Sequence, residues 1–376
     1  MTRLGKLFSF IGLLFRVIID LVNPSILLQK LEIYGLEAGL LEWVESYLSD
    51  RKQAVWIDHI LSDWLDVRVG VPQGSILGPL LFIIFANDLP HSLTCHLDQY
   101  ADDSTLSCTK PTATEINHEL SENCEIVSTW MAQNELCLNA DKTHLMVGGT
   151  SQRLLLFDPA QNISIKMENI QLEESAEKCE KLLGVLLQPN LKWSKHIQDL
   201  QQRLKDRLTG LVKIRYIVGF NFRKSVAQAI FQSVLTYCIA AWGGAEKSDL
   251  QDLQVMQNKA AQVVLNYPSR SHRETMYNKL AWLTVNQSVV FHSVLAVFQI
   301  RNSGEPEYLA NFLKNDNYRS NIIVPNTSLS LAKKSFCFRG AEMWNLVPAQ
   351  IRSIEKVTSF KKELKKWVLN SVEKFS

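Results

Sequence analysis

The chain is 376 residues long, 46% hydrophobic and 21% charged, which excludes a disordered chain and allows a sizeable core in two or three domains. A formal charge of +2 hides an asymmetry: residues 1–200 carry 15 Lys and Arg against 26 Asp and Glu, net −11, and residues 201–376 carry 25 against 12, net +13, which suits the second half to a polyanion. The seven cysteines are odd in number and contain no C-x-x-C pair, which argues against a disulfide framework and a structural zinc site and suits a reducing, intracellular setting.

In chain order, the apolar stretch Leu7 to Val22 fails as a secretion signal. Arg16 interrupts it, Asp20 follows, no small-x-small cleavage site is present, and at about 16 residues it is short for a membrane span. The expectation is a chain that is not secreted and meets no membrane, placed in the nucleus or cytoplasm. Asn23-Pro24-Ser25 starts a helix that Gly35 ends, and Leu36 to Leu48 repeats the apolar helical pattern. Residues 53–58 and 65–70 alternate as half-buried strands around a loop of about six residues.

Val71-Pro72-Gln73-Gly74-Ser75 then turns into an apolar helix. Gly74 permits close backbone approach to a ligand, Gln73 offers an amide, and Ser75 can cap the helix. The stretch Leu97 to Ser107 reads as a hairpin with Tyr100-Ala101-Asp102-Asp103 at its tip. Paired carboxylates there suit a divalent cation, although Asp also serves plain turn chemistry.

Residues 112–133 have helical spacing, and strands are predicted at His144 to Val147, 153–157, 163–172 and, as one short apolar run, 181–187. From His196 onward the pattern is helical. Segment 197–216 is amphipathic with Lys205, Arg207, Lys213 and Arg215 on its polar side, and the aromatics Phe336, Phe338, Trp344, Phe360 and Trp367 are expected in the core. The eight histidines show no metal-ligand spacing. Strands mixed with helices, followed by helices alone, predict an α+β fold.

Four motifs in order, Val71-Pro72-Gln73-Gly74-Ser75, Tyr100-Ala101-Asp102-Asp103, Leu138-Asn139 with Lys142-Thr143, and Leu183-Gly184-Val185 with Leu191-Lys192-Trp193, resemble the reverse transcriptase of non-LTR retrotransposons of the LINE-like, jockey or CR1-like class. The resemblance runs on through Tyr237 to Gly244, Gln257 to Ala260 and Trp344 to Pro348. It implies RNA-directed DNA polymerase activity by two-metal-ion nucleotidyl transfer, with Mg²⁺ as cofactor and an RNA template, a DNA primer and dNTPs as partners. By the same resemblance, Asp102 and Asp103 are the catalytic and metal-binding acids. Gln73, Gly74, Ser75, Tyr100 and Lys142 line the nucleotide and template pocket, Leu183, Gly184 and Val185 form the primer grip, and Lys205, Arg207, Lys213 and Arg215 hold nucleic acid.

The resemblance also implies boundaries: an unrelated apolar leader at 1–19, a partial polymerase palm of antiparallel sheet and packed helices at 20–193, a thumb-like helical region at 194–266, and a basic, mainly helical C-terminal region at 267–376. One departure stands out. The family's first catalytic strand reads Asp-x-x-x-Ala-Phe-Asp-x-Val-x-His; counted back from Asp20, its metal-binding Asp falls on Leu14 and its ribose-screening aromatic on Ile19. Asp20 lies six residues on, roughly 20 Å along an extended strand and beyond ligand reach. The expectation is a 3′-end fragment without fingers, catalytically incomplete, with a non-catalytic RNA- or DNA-binding module as the alternative.

Overall fold

The computed structural model describes residues 9–16, 21–138, 143–156, 165–167, 170–172, 179–268, 271–314 and 321–371. Two compact units part between Glu180 and Lys181.

In the first unit, strand β1 (Ser9–Arg16) precedes helices α1 (Pro24–Ile33) and α2 (Ala38–Leu48). Asn23 Oδ1 accepts the Ser25 N–H at 2.8 Å, Pro24 occupies the first turn where an N–H is not needed, and Gly35 at φ +85° releases the chain. Next comes a folded-back arm in which β2 (Lys52–Gln53) pairs with β5 (Leu65–Asp66), and β3 (Trp56–Ile57) with β4 (Ile60–Leu61). The predicted hairpin of 53–58 and 65–70 is thereby corrected. The chain reverses at Asp58 and His59, whose φ of +47° and +68° make a tight turn with the strands' own twist.

The chain continues through α3 (Leu77–Ala86), α4 (Leu89–Ser92), β6 (His96–Tyr100), β7 (Asp103–Thr109), α5 (Ala113–Gln133) and β8 (His144–Gly149). Helix α6 (Ser151–Leu156) replaces most of the strand predicted at 153–157; so short an apolar run does not reveal its period. The predicted strand 163–172 is instead the antiparallel pair β9 (Ile165–Met167) and β10 (Ile170–Leu172).

The main sheet is antiparallel in the order β6-β7-β1-β8. β1 therefore has a partner on both sides, although it lies inside the 1–19 stretch that the resemblance sets apart as an unrelated leader. Leu27, Leu31, Phe85, Leu106, Ile116 and Leu120 are buried in the core beside this sheet. Lys30 is drawn into it: its ammonium lies 2.8 Å from Asp88, donates to the Phe85 carbonyl at 2.7 Å and lies over the Phe85 ring, and burial lowers its pKa. Trp130 Nε1–H donates to the same Asp88 at 3.0 Å, tying α5 to the end of α3.

The chain enters the second unit through β11 (Glu180–Leu182) and β12 (Val185–Leu187), which pair with each other. The single strand predicted over 181–187 is thus broken in two, because Leu183 and Gly184 take φ of +47° and +82° and reverse the chain. Helices follow: α7 (Ser194–Ile214), α8 (Phe220–Ala227), a π-helical turn over Gln228–Gln232, α9 (Ser233–Thr236), α10 (Ile239–Trp242) and α11 (Lys247–Leu265). They pack around Leu200, Leu204, Phe231, Trp242, Leu253 and Val264.

Helices α12 (Arg273–Leu280), α13 (Val285–Ser303), α14 (Glu307–Phe312), α15 (Ser330–Lys333), α16 (Phe336–Leu346), α17 (Ala349–Arg352) and α18 (Val357–Asn370) complete the unit. Their core holds Phe298 stacked on Phe360, with Trp344 beside it, so of the five C-terminal aromatics expected in the core Trp344 and Phe360 are buried, while Phe336, Phe338 and Trp367 are half-buried. Gln254, Gln257 and Tyr277 are buried as a hydrogen-bonded set, Tyr277 donating to Gln257 Oε1 at 2.9 Å and Gln254 donating to the tyrosine oxygen at 2.6 Å. Among the described residues, no single helix is long and apolar enough to cross a membrane.

Candidate functional site

The acidic tip is a two-residue turn. Tyr100 pairs with Asp103 across β6 and β7, leaving Ala101 and Asp102 as the loop. The strand is held by its buried residues, Leu106 at 0% and Ser104 at 1% exposure, which fix the register and so carry the two acids out to the end of the sheet. Tyr100 is exposed and both acids are half-buried. Ala101 sits at φ +51°, the left-handed region, where a side chain costs about 1–2 kcal/mol. Strain of this kind in a tight turn is retained where the surroundings over-determine it, commonly at functional positions.

Strand β1 runs beside this hairpin. Arg16 stands opposite Asp103, Leu14 opposite Thr105 and Gly12 opposite Ser107. A site for two divalent ions needs carboxylates that converge from separate strands. Here the positions of β1 nearest the acids are an arginine and a leucine, and among the described residues no group of three metal-ligating side chains includes Asp102 or Asp103. The described residues do not fit a complete two-metal site. Asp20, weighed from sequence as a substitute ligand, lies outside the described residues, as does Lys142.

The turn before α3 is built as its sequence suggests. Ser75 Oγ accepts the Gly78 N–H at 2.9 Å and donates to the Pro72 carbonyl at 2.8 Å, so its hydroxyl closes the turn. A Cβ on Gly78 would fall 2.7 Å from the Pro72 oxygen, which explains a glycine there. Gln73 and Gly74 are exposed at the crest, and Gly74 takes φ +75°, a conformation that favours glycine.

The remaining predicted residues belong to the second unit. At the β11–β12 turn, the Leu183 carbonyl accepts the Tyr237 hydroxyl at 2.8 Å, and a Cβ on Gly184 would meet the same ring at 3.3 Å; Val185 is buried. Tyr237 thus supports a turn to which sequence gave no partner. Lys205, Arg207 and Lys213 are exposed on α7. Arg215 is spent on the fold, donating to Asn266 Oδ1 at 2.8 Å and to the Tyr267 carbonyl at 3.1 Å.

At about 100° per residue, Lys205 and Arg207 point about 160° apart, so the basic residues of α7 do not form one stripe. Lys205 instead lines a cleft of about 220 Å³ with Gln198, Gln202, Met256 and Lys259. Lys259 comes from α11, a partner that only the packing of two helices reveals. Part of the positive charge of this half is also structural. Arg223 is buried and donates to the Val264 and Arg215 carbonyls, and Arg339 donates to Lys334 and Ala240, burial bringing its pKa down to about 10.

Residues 19–187 match the family model for reverse transcriptase (RNA-dependent DNA polymerase). The chain is 28% identical over 261 residues, 66% of its length, to a probable RNA-directed DNA polymerase from transposon BS of Drosophila melanogaster, covering 28% of that protein. It is 24% identical over 257 residues to the RNA-directed DNA polymerase from mobile element jockey of the same organism, covering 65% of this chain and 27% of that one. It is also 27% identical over 231 residues to a putative 115 kDa protein in type-1 retrotransposable element R1DM, covering 60% of this chain and 21% of that one. The chain spans about a quarter of the length of these relatives.

Proposed function

We propose that residues 19–187, which match the reverse-transcriptase family model, are a reverse-transcriptase domain of the non-LTR retrotransposon class, that the chain's chemistry is RNA-directed DNA synthesis by descent, and that the chain alone is catalytically incomplete. The observation that carries the second half is the β1 register: Leu14 and Arg16 occupy the positions beside Thr105 and Asp103, so the second strand offers no carboxylate to complete the pair on the hairpin. A primer-extension assay with Mg²⁺, dNTPs and a primed RNA template should give no product; robust synthesis by the chain contradicts the proposal.

Within this reading, residues 20–193 are a partial palm, 194–266 a thumb-like region and 267–376 a basic C-terminal region. The acid-tipped antiparallel hairpin of β6 and β7 supports the first assignment, with the pairing of β1 carrying the same sheet back to Ser9, and the long amphipathic α7 supports the second. Gln73, Gly74, Ser75, Tyr100 and Lys142 would line the nucleotide and template pocket, and Leu183 to Val185 would brace the primer end. Of the latter, the Tyr237 contact to the Leu183 carbonyl supports a rigid turn.

A second reading, a non-catalytic RNA- or DNA-binding module, is favoured by one feature. Lys205 and Lys259 face a single glutamine-lined cleft, cationic and rich in hydrogen-bonding groups, as suits a phosphate backbone. Binding to RNA that weakens steeply with salt supports it, and binding indifferent to salt contradicts it.

A further inference from the structure

We propose that Cys95, Cys108 and Glu119 form a binding site for one zinc-class divalent cation, which pins the base of the acid-tipped hairpin to α5. Cys95 and Cys108 each lie one residue beyond the His96–Ser107 pair, at the end of the hairpin away from Asp102. Their two sulfurs and a Glu119 carboxylate oxygen lie within 4.8 Å of one another. A tetrahedral zinc with Zn–S of about 2.3 Å and Zn–O of about 2.0 Å needs separations of roughly 3.5–3.8 Å, so small side-chain adjustments close the set. Thiolate donors select zinc or cadmium over Mg²⁺.

The donors are held from outside the cluster. Asn123, fully buried, accepts the Thr94 and Cys95 N–H groups at 2.9 and 3.1 Å and donates to Thr94 Oγ1 at 2.8 Å and to the Glu119 carbonyl at 2.7 Å. One side chain thereby fixes the backbone at both Cys95 and Glu119, the arrangement expected of supports behind a metal ligand set.

The charges balance in both states. Without an ion, two neutral thiols accompany the Glu119–Lys110 ion pair at 3.1 Å. When a dication binds, two S–H bonds break, two metal–sulfur bonds form and two protons leave to solvent, so the net charge of the pocket is unchanged and Lys110 still offsets the carboxylate. A cleft of about 600 Å³, lined by Thr94, Lys110, His118 and Glu119, opens beside the set and gives a path for the ion and for a water as fourth ligand. The residues lie thirteen and eleven positions apart in sequence, a spacing no zinc motif uses, so only the fold brings them together.

The test uses Co²⁺ as the probe on the full chain, kept reduced by a non-chelating phosphine. One equivalent should produce thiolate-to-cobalt charge-transfer absorption that Zn²⁺ abolishes. Cys95→Ser and Cys108→Ser should lose the band, Glu119→Gln should weaken binding at least tenfold, and Cys137→Ser, at an exposed thiol, should leave it unchanged. No band in the reduced, folded wild-type chain overturns the proposal, and so does a band of wild-type strength in folded Cys108→Ser. The first of these outcomes is read on the unaltered protein and does not depend on a variant folding.

Discussion

Arg16 of β1 stands directly opposite Asp103 of β7 in the antiparallel register. Two residues back, Leu14 is opposite Thr105 and diagonal to Asp103. Opposed positions in such a pair have Cβ atoms about 4.5–5.5 Å apart and diagonal ones about 7–8 Å, a span that two carboxylates bridge through one cation. Leu14→Asp should therefore tighten Mn²⁺ binding at least tenfold, followed by the loss of free-Mn²⁺ paramagnetic resonance signal, and adding Asp103→Asn should remove the gain. A Leu14→Asp chain that binds no better than wild type would show that the register does not limit the site.

The two tight turns carry opposite expectations. Ala101 bears a left-handed φ of +51° with a side chain, and Gly74 bears one of +75° without. Ala101→Gly relieves about 1–2 kcal/mol of strain and costs roughly 0.5–1 in chain entropy, so a net gain of about 0.5–1 kcal/mol is expected. Gly74→Ala meets no atom within 4 Å, so its loss of about 1 kcal/mol comes from the backbone alone. Urea midpoints measure both; a Gly74→Ala chain as stable as wild type would contradict the turn geometry.

His196 makes the second unit acid-sensitive. The ring is 1% exposed, packs against Trp242 and accepts the Leu186 N–H at 3.3 Å through Nδ1, and burial pushes its pKa down from 6.5 to about 4. Between those values the unfolded chain holds a proton that the folded chain excludes. The stabilisation is complete above about pH 6.5 and falls as the pH drops toward 4, by up to about 3 kcal/mol. Urea unfolding at pH 7.5 and 4.5 should show a slope flatter by about one proton in His196→Gln; identical slopes contradict a buried neutral ring.

Among the basic residues, exposure separates two roles. Lys205→Glu should reduce the salt dependence of RNA binding by about one counterion or more and leave the melting temperature unchanged. Arg215→Ala, which removes the bonds to Asn266 and Tyr267, should cost about 1–2 kcal/mol of stability with little change in salt slope. Reversal of these effects would place Arg215 on the ligand instead.

What the sequence revealed and what it hid follow physical lines. Local chemistry was legible: Asn23 caps, Pro24 opens a helix, Ser75 closes its turn, and the alternation around Tyr100 to Asp103 makes the hairpin. Turns built on ordinary residues were not. Leu183 in a left-handed conformation looks like strand in one dimension, and the run at 153–156 is too short to reveal its helical period. Long-range pairing was hidden most. Nothing in the chain order announces that Lys259 faces the cleft with Lys205, that Arg223 serves carbonyls, or that Cys95, Cys108 and Glu119 converge. The stretch around β1 is a case apart, since its apolar composition conceals a strand paired on both sides.

The most direct measurement is extension of a DNA primer on an RNA template by the unaltered chain in Mg²⁺ and, separately, Mn²⁺, run beside Asp102→Asn. An incomplete carboxylate set predicts no elongated product from either protein. Elongation by the wild-type chain that disappears in Asp102→Asn would show that the hairpin acids work in a complete site, and would contradict the reading of the β1 register.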